Sequence, residues 1–179
     1  MRTETVARNY AEALFELGER SGQTVLYAHL LDAVAHAVET TPAVQSVLMS
    51  PRVTKAEKAE LLGAALRDAP REFVLFLQAL VKRNRQQLLR EIAQEYHGLL
   101  DIKLNRVRAS VTLARPADET LRRSVTESLS RQLGKEVLPT FVVDPEILGG
   151  TIVRIGERVH DGSVRRRMVR LRRQLIAGR

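Results

Sequence analysis

Apolar residues recur through the first hundred positions at spacings of three and four, the repeat of helices that bury one face. Val6, Tyr10, Ala13, Leu14 and Leu17 form the first such stripe, and Gly18 and Gly22 follow as stop signals. A second helix is predicted with Leu26, Leu30, Val34 and Ala37 on its stripe and Thr24 as its N-cap. Pro42 starts a short third helix that ends before Pro51. Thr54, with Glu57 three residues on, reads as the capping box of a fourth, and Pro70 opens a fifth. Phe73, Phe76, Leu77, Leu80 and Val81 give that fifth helix a broad apolar face. The charged run 82–87 interrupts the pattern before a sixth helix carrying Leu88, Leu89, Ile92, Tyr96, Leu99 and Leu100.

Near residue 106 the repeat changes. Val107, Ala109, Val111 and Leu113 alternate with polar residues, which predicts a half-buried strand. Pro116 and Asp118 then open a helix with Leu121, Val125, Leu129 and Leu133 on one face and Gly134 at its C-terminal stop. Residues 136–144 return to strand, with Pro139 marking an edge or a bulge. Another strand covers 151–156, the dipeptide Asp161-Gly162 makes a turn, and Ser163 caps a last helix. In that helix Val164, Met168, Leu171 and Leu175 are expected to face inward, with arginines over the remaining surface. The predicted class is α+β: an N-terminal all-α six-helix bundle over 1–105 followed by a small α/β C-terminal domain over 106–179. No Pro/Gly/Ser-rich linker separates them, so the sixth helix should lead directly into the second domain.

Charge sharpens that division. Residues 1–105 carry 13 basic and 13 acidic side chains, and residues 106–179 carry 16 and 8, so the whole net charge of +8 lies in the second part. That part calls for an acidic partner. The chain has 179 residues, of which 44% are apolar and only 4% aromatic, so its core must be built from Leu, Val, Ile and Ala. With no cysteine, disulfides, thiolate nucleophiles and cysteine zinc sites are excluded. No apolar run approaches the ~18 residues that span a bilayer, and the acidic N-terminal segment fits neither a secretory signal nor a transit peptide. A soluble bacterial protein on the cytoplasmic side is expected.

Candidate chemistry is thin. His29 and His36 share a helix face but lie roughly 10 Å apart at ~1.5 Å per residue, too far to chelate one ion; with His97 and His160 they are expected to face solvent. Gly149, Gly150 and Gly156 precede a strand instead of opening a helix, which fails the dinucleotide fingerprint. Gly149-Gly150 instead predicts a turn needing positive φ or close backbone approach. Asp144, Glu146 and Asp161 flank this turn and suit turn-capping; an enzyme using them as a carboxylate pair is a remote alternative. The arginine-rich run 165–173 suits an acidic protein partner, and a basic nucleic-acid-binding regulator is the main competing reading.

The order Val142-Val143-Asp144, Leu148-Gly149-Gly150, Val153-Arg154-Ile155-Gly156 and Asp161-Gly162-Ser163-Val164-Arg165, with Leu171 and Leu175 following, resembles the C-terminal signature of the ATP synthase delta subunit family, which includes the mitochondrial oligomycin-sensitivity-conferring protein. Val6-Ala7-Arg8, Tyr10-Ala11 and Ala13-Leu14 resemble the family's opening helix, and Asn84-Arg85 with Leu88, Leu89, Ile92 and Tyr96 is a third match. Asn9 departs from the proline of many relatives. The resemblance implies a non-catalytic stator without cofactor or metal. Its N-terminal bundle would grip N-terminal segments of the alpha subunits of the catalytic head in a groove between helices one and five. Tyr10, Ala13, Leu14 and Leu17 would offer one wall; Leu77, Ala79 and Leu80 would offer the other. The C-terminal domain would hold the b subunits of the peripheral stalk, with Arg165, Arg166, Arg170 and Arg173 as stalk-binding residues and Gly149, Gly150, Asp161 and Gly162 as the structural turn. No nucleic acid is implied, and membrane contact would be indirect, through the complex at the cytoplasmic face of the cell membrane.

Overall fold

The computed structural model describes residues 2–177 and divides into two compact units, Met1–Asp101 and Ile102–Arg179. The chain runs through α1 (Arg2–Ser21), α2 (Thr24–Thr40), α3 (Pro42–Met49), α4 (Lys55–Ala65), α5 (Arg71–Lys82) and α6 (Leu89–Lys103). It continues as β1 (Arg106–Leu113), α7 (Glu119–Leu133), β2 (Glu136–Val143), β3 (Thr151–Ile155), β4 (Arg158–Asp161) and α8 (Val164–Ala177). The divide between the units falls in the last turn of α6. The result is a helix-rich α+β chain with one four-stranded sheet.

In the first unit, α1 buries Ala7, Ala11, Leu14 and Gly18, a line of mostly small residues one helical turn apart. Small size matters here: a Cβ on Gly18 would stand 2.9 Å from the Tyr96 hydroxyl and 3.2 Å from Thr24 Cα. That hydroxyl donates to the Thr24 carbonyl at 2.9 Å, and burial pushes its pKa above the ordinary tyrosine value. Ring pairs add directional packing: Phe15 on Tyr96 at 5.4 Å and Tyr27 on Phe73 at 5.6 Å.

The buried face of α2 differs from the sequence expectation. Tyr27, Ala28, Leu31, Val34 and Val38 point inward, whereas Leu26 is exposed. Apolar residues surround this helix on most sides, so two stripes compete in the sequence and tertiary packing chooses. Thr24 is its first residue and not its cap; Gln23 takes that position without a side-chain bond.

At α4 the capping box forms as read: the Glu57 N–H donates to Thr54 Oγ1 at 3.3 Å, and the Thr54 N–H donates back to Glu57 Oε2 at 2.8 Å. Lys58, 5% exposed, donates to the Ser50 carbonyl at 2.8 Å, and Gln86 Nε2 donates to the Leu48 carbonyl at 3.2 Å. The carbonyl end of α3 is therefore closed by two side chains from later in the sequence. The break in 82–87 centres on Asn84 in the left-handed region, φ 55°, followed by a 3-10 turn over Gln86–Leu88.

The second unit has strand order β2-β1-β3-β4. β1 and β2 pair in parallel through the crossover helix α7, and β3 runs antiparallel to both β1 and β4. Ala109, Val111 and Leu113 alternate inward on β1 and meet Val137 and Val153, with Val125 and Leu129 of α7 packed against them. Asp118 caps α7 by accepting from the Leu121 N–H at 2.7 Å, and Gly134 ends it at φ 64°. Pro139 lies on the edge strand β2, where its missing N–H costs no central ladder bond. β4 has no counterpart in the sequence reading. It pairs with β3 across Gly156-Glu157, with Gly156 at φ +56°, so the hairpin turn falls there and Asp161-Gly162 joins strand to helix.

Candidate functional site

Two surfaces, one in each unit, bring some of the sequence-selected residues together. In the first unit α1 and α5 meet where the Tyr10 ring rests edge-on against Phe76, 6.2 Å between centroids. Tyr10 and Leu17 are half-buried and Ala13 is exposed, so these three present surface along α1. Leu14 does not. It points with Ala7 and Ala11 into the core and has no exposure. On α5, Leu77 and Leu80 are each 1% exposed and hold the helix from behind, while Ala79 is exposed. Leu75, 52% exposed and one turn before Ala79, is the surface residue that the apolar-stripe reading missed. The seam presented outward is thus Tyr10, Ala13, Leu17, Leu75 and Ala79.

In the second unit everything is organised by the double-glycine turn. Gly150 has φ +77°, and a Cβ there would stand 2.4 Å from the Gly162 carbonyl oxygen. The Gly162 N–H donates to the Thr151 carbonyl and the Val164 N–H to the Gly149 carbonyl, both at 2.9 Å. Two backbones are thereby pressed together, and the first turn of α8 hangs from the junction. Asp161 Oδ1 accepts from the Ser163 N–H at 2.9 Å, and Ser163 Oγ accepts from the Arg166 N–H at 3.2 Å. The acids near this turn are all engaged: Asp144 Oδ1 accepts from the Glu146 N–H at 2.9 Å, and Glu146 pairs with Arg165 at 3.2 Å. They cap and pair, so the arrangement offers no free carboxylate couple for acid–base work.

Hydrogen bonds from Ser163, with Arg166 nearby, hold the Asp161 carboxyl below its ordinary value. A depressed carboxylate stabilises the fold above the unfolded pKa of ~3.9, and that contribution is lost as pH falls through the lower folded value. Asp161→Asn should therefore loosen the first turn of α8 at neutral pH and flatten the acid limb of its stability. An NMR titration of the Ser163 amide checks this; a midpoint at the ordinary carboxylate value would contradict it.

Beyond its first turn α8 is uncovered. Every residue from Val164 to Ile176 is exposed, including Met168 at 57%, Leu171 at 58% and Leu175 at 77%. The expectation that this stripe faces inward is corrected: α8 is anchored at one end and lays no apolar face on the sheet. On its other side, Arg166 and Arg170 border an open trough of about 750 Å³. Leu129 and Leu133 of α7 and Val153, Ile155 and Val159 of the β3–β4 hairpin supply its apolar lining. α7 packs chiefly on β2 and the core face of β1, which leaves this half of the sheet open. Arg165 points instead to Glu146, and Arg173 is exposed on α8.

Among the described residues, no group of three or more His, Asp or Glu could hold a metal, and no helix is long and apolar enough to cross a membrane. His97 Nε2 lies 2.7 Å from Asp32 and joins α2 to α6, while His29, His36 and His160 are exposed.

Comparison with known proteins agrees across almost the full length. The family model for the ATP synthase delta (OSCP) subunit matches residues 6–175. The chain is 43% identical over 173 residues to the ATP synthase subunit delta of Gemmatimonas aurantiaca, covering 96% of this chain and 94% of that one. It is 38% identical to the subunits of the same name from Desulforamulus reducens, covering 96% of each chain, and Burkholderia multivorans, covering 97% of each. A chain in the cryo-EM structure of the Toxoplasma gondii mitochondrial ATP synthase hexamer shares the fold with a TM-score of 0.67 at 19% identity, covering 95% of this chain and 97% of that one. The nucleic-acid reading of the arginine run finds no support in these relatives. With the family model matched over residues 6–175 and relatives of 43% and 38% identity along almost the whole chain, this chain belongs to the ATP synthase delta (OSCP) subunit family, the non-catalytic stator subunits of that complex.

Proposed function

We propose that this chain ties the catalytic head of an ATP synthase to its peripheral stalk at the cytoplasmic face of a bacterial membrane, so that rotor torque drives synthesis instead of turning the head. In this reading α1–α6 act as one six-helix bundle spanning 1–105, and residues 106–179 form the stalk-binding domain. The observation that carries it is that each compact unit leaves apolar side chains uncovered on its surface, Tyr10, Leu17 and Leu75 in the first and the α7–hairpin trough in the second. The α1–α5 seam, with its amphipathic Tyr10, suits the apolar face of a helix from an alpha subunit's N-terminal segment. The trough between α7 and α8, lined by apolar Leu129, Leu133, Ile155 and Val159 alongside polar Gln132 and His160 and bordered by Arg166 and Arg170, suits an amphipathic helix with acidic flanks from the b subunits. A nanomolar grip needs about 12 kcal/mol, which a few desolvated anchors of ~2 kcal/mol each go far to supply.

The test is rebinding to a delta-depleted head, titrated by native mass spectrometry. One copy is expected to add at nanomolar concentration, with stalk attachment weakening as salt rises. No uptake at micromolar concentration would sink the reading.

A further inference from the structure

The trough leaves the opposite side of α8 unexplained. The geometry points to a second docking face there: when the chain is outside its complex, α8 lies on an anionic bilayer surface. Three observations carry this beyond the stator role. First, Val164, Met168, Leu171 and Leu175 fall within an arc of roughly 60° at ~3.6 residues per turn, and all four are exposed. Second, the rim is cationic on both sides. Arg167 flanks one edge of the stripe, Arg172 flanks the other beside Arg165, which pairs with Glu146, and the helix contains no acidic residue. Third, only the first turn is held, through the Val164 N–H bond to Gly149 and the Ser163 cap. The remaining turns are open along their length. Leu148, next in sequence to the Gly149 that accepts this bond, adds a further apolar side chain that is 65% exposed.

A short helix with a narrow apolar stripe, arginines on both edges and strongly polar composition lies in the plane of a bilayer interface. Its stripe reaches the acyl boundary while the guanidinium groups meet lipid phosphates. Charge complementarity selects the occupant. A second copy of α8 would bring two arginine rims together, and the acidic helix of the proposed stalk contact would be served by Arg166 and Arg170 on the trough side. An extended anionic surface satisfies both edges at once.

The full chain is to be sedimented with vesicles of phosphatidylcholine alone and of phosphatidylcholine with about 30% phosphatidylglycerol, at low salt. Binding is expected to the anionic vesicles only. Leu171→Asp, and separately the pair Arg167→Glu and Arg172→Glu, should weaken it about tenfold or more. The pair Arg20→Glu and Arg83→Glu, the same charge change placed in the first unit, should leave it intact. Circular dichroism matching the parent shows that each variant is folded. Absence of binding to anionic vesicles, equal binding to neutral ones, retention by Leu171→Asp, or equal loss in the control pair would each overturn the proposal. None of these outcomes bears on head rebinding, so the two readings fail separately.

Discussion

Gly150→Ala is expected to remove most of the stability of the C-terminal unit, while Gly156→Ala costs about 1 kcal/mol. Both glycines have positive φ, +77° and +56°, so both substitutions meet the same backbone penalty. Only one meets an obstacle. A Cβ at Gly150 would lie 2.4 Å from the Gly162 carbonyl oxygen and 3.3 Å from Ser163 Cα, whereas at Gly156 nothing stands within 4 Å. Relieving the contact pushes the two backbones apart and stretches the bonds Gly162 N–H to Thr151 and Val164 N–H to Gly149. Strain and lost packing together come to roughly 3–5 kcal/mol, a large share of what holds a unit this small. Hydrogen exchange at the Gly162 and Val164 amides reads the effect locally, and urea denaturation reads it globally. Equal destabilisation by the two variants would show that left-handed backbone alone, and not the close approach, sets the requirement.

Tyr10→Asp is expected to abolish tight attachment to the head without unfolding the chain. The ring is half-buried against Phe76, so a carboxylate there finds water, but a partner helix laid on it would have to desolvate that charge. A loss of at least about 2 kcal/mol, roughly thirtyfold in affinity, is the expected scale for an anchor of this kind. Leu75→Asp should act in the same direction from the facing helix. Leu14→Ala serves as the contrast: it empties a core position with no exposure and should cost about 2–5 kcal/mol of stability, leaving the affinity of the folded fraction unchanged. Rebinding titrations of the three variants, each checked by circular dichroism, separate the outcomes. Normal attachment of Tyr10→Asp would move the contact elsewhere.

What the sequence revealed followed from local chemistry. The Thr54–Glu57 box, the Asp118 and Gly134 ends of α7, the edge proline and the double-glycine turn each depend on a few neighbouring residues whose requirements hold in any context. What it concealed depended on distant packing. In α2 two apolar stripes were available, and only the neighbours decide which is buried. In α1, Leu14 and Tyr10 sit one turn apart on the same sequence stripe, yet one is core and the other surface. β4 is four residues long with a single large apolar side chain, below what alternation can register. The stripe of α8 has the same period whether its own chain or another molecule covers it, and so its exposure was not legible.

The ring pairs of the first unit have an optical consequence. The chain has three tyrosines and no tryptophan, and Tyr10, Tyr27 and Tyr96 all stand in Met1–Asp101, each against a phenylalanine. Phe141 is the lone aromatic residue of the second unit. Tyrosine emission and the tyrosine band of the near-ultraviolet dichroism therefore report on the helical unit alone. A chain whose sheet and last helix had come apart would still give the full tyrosine signal of an intact protein.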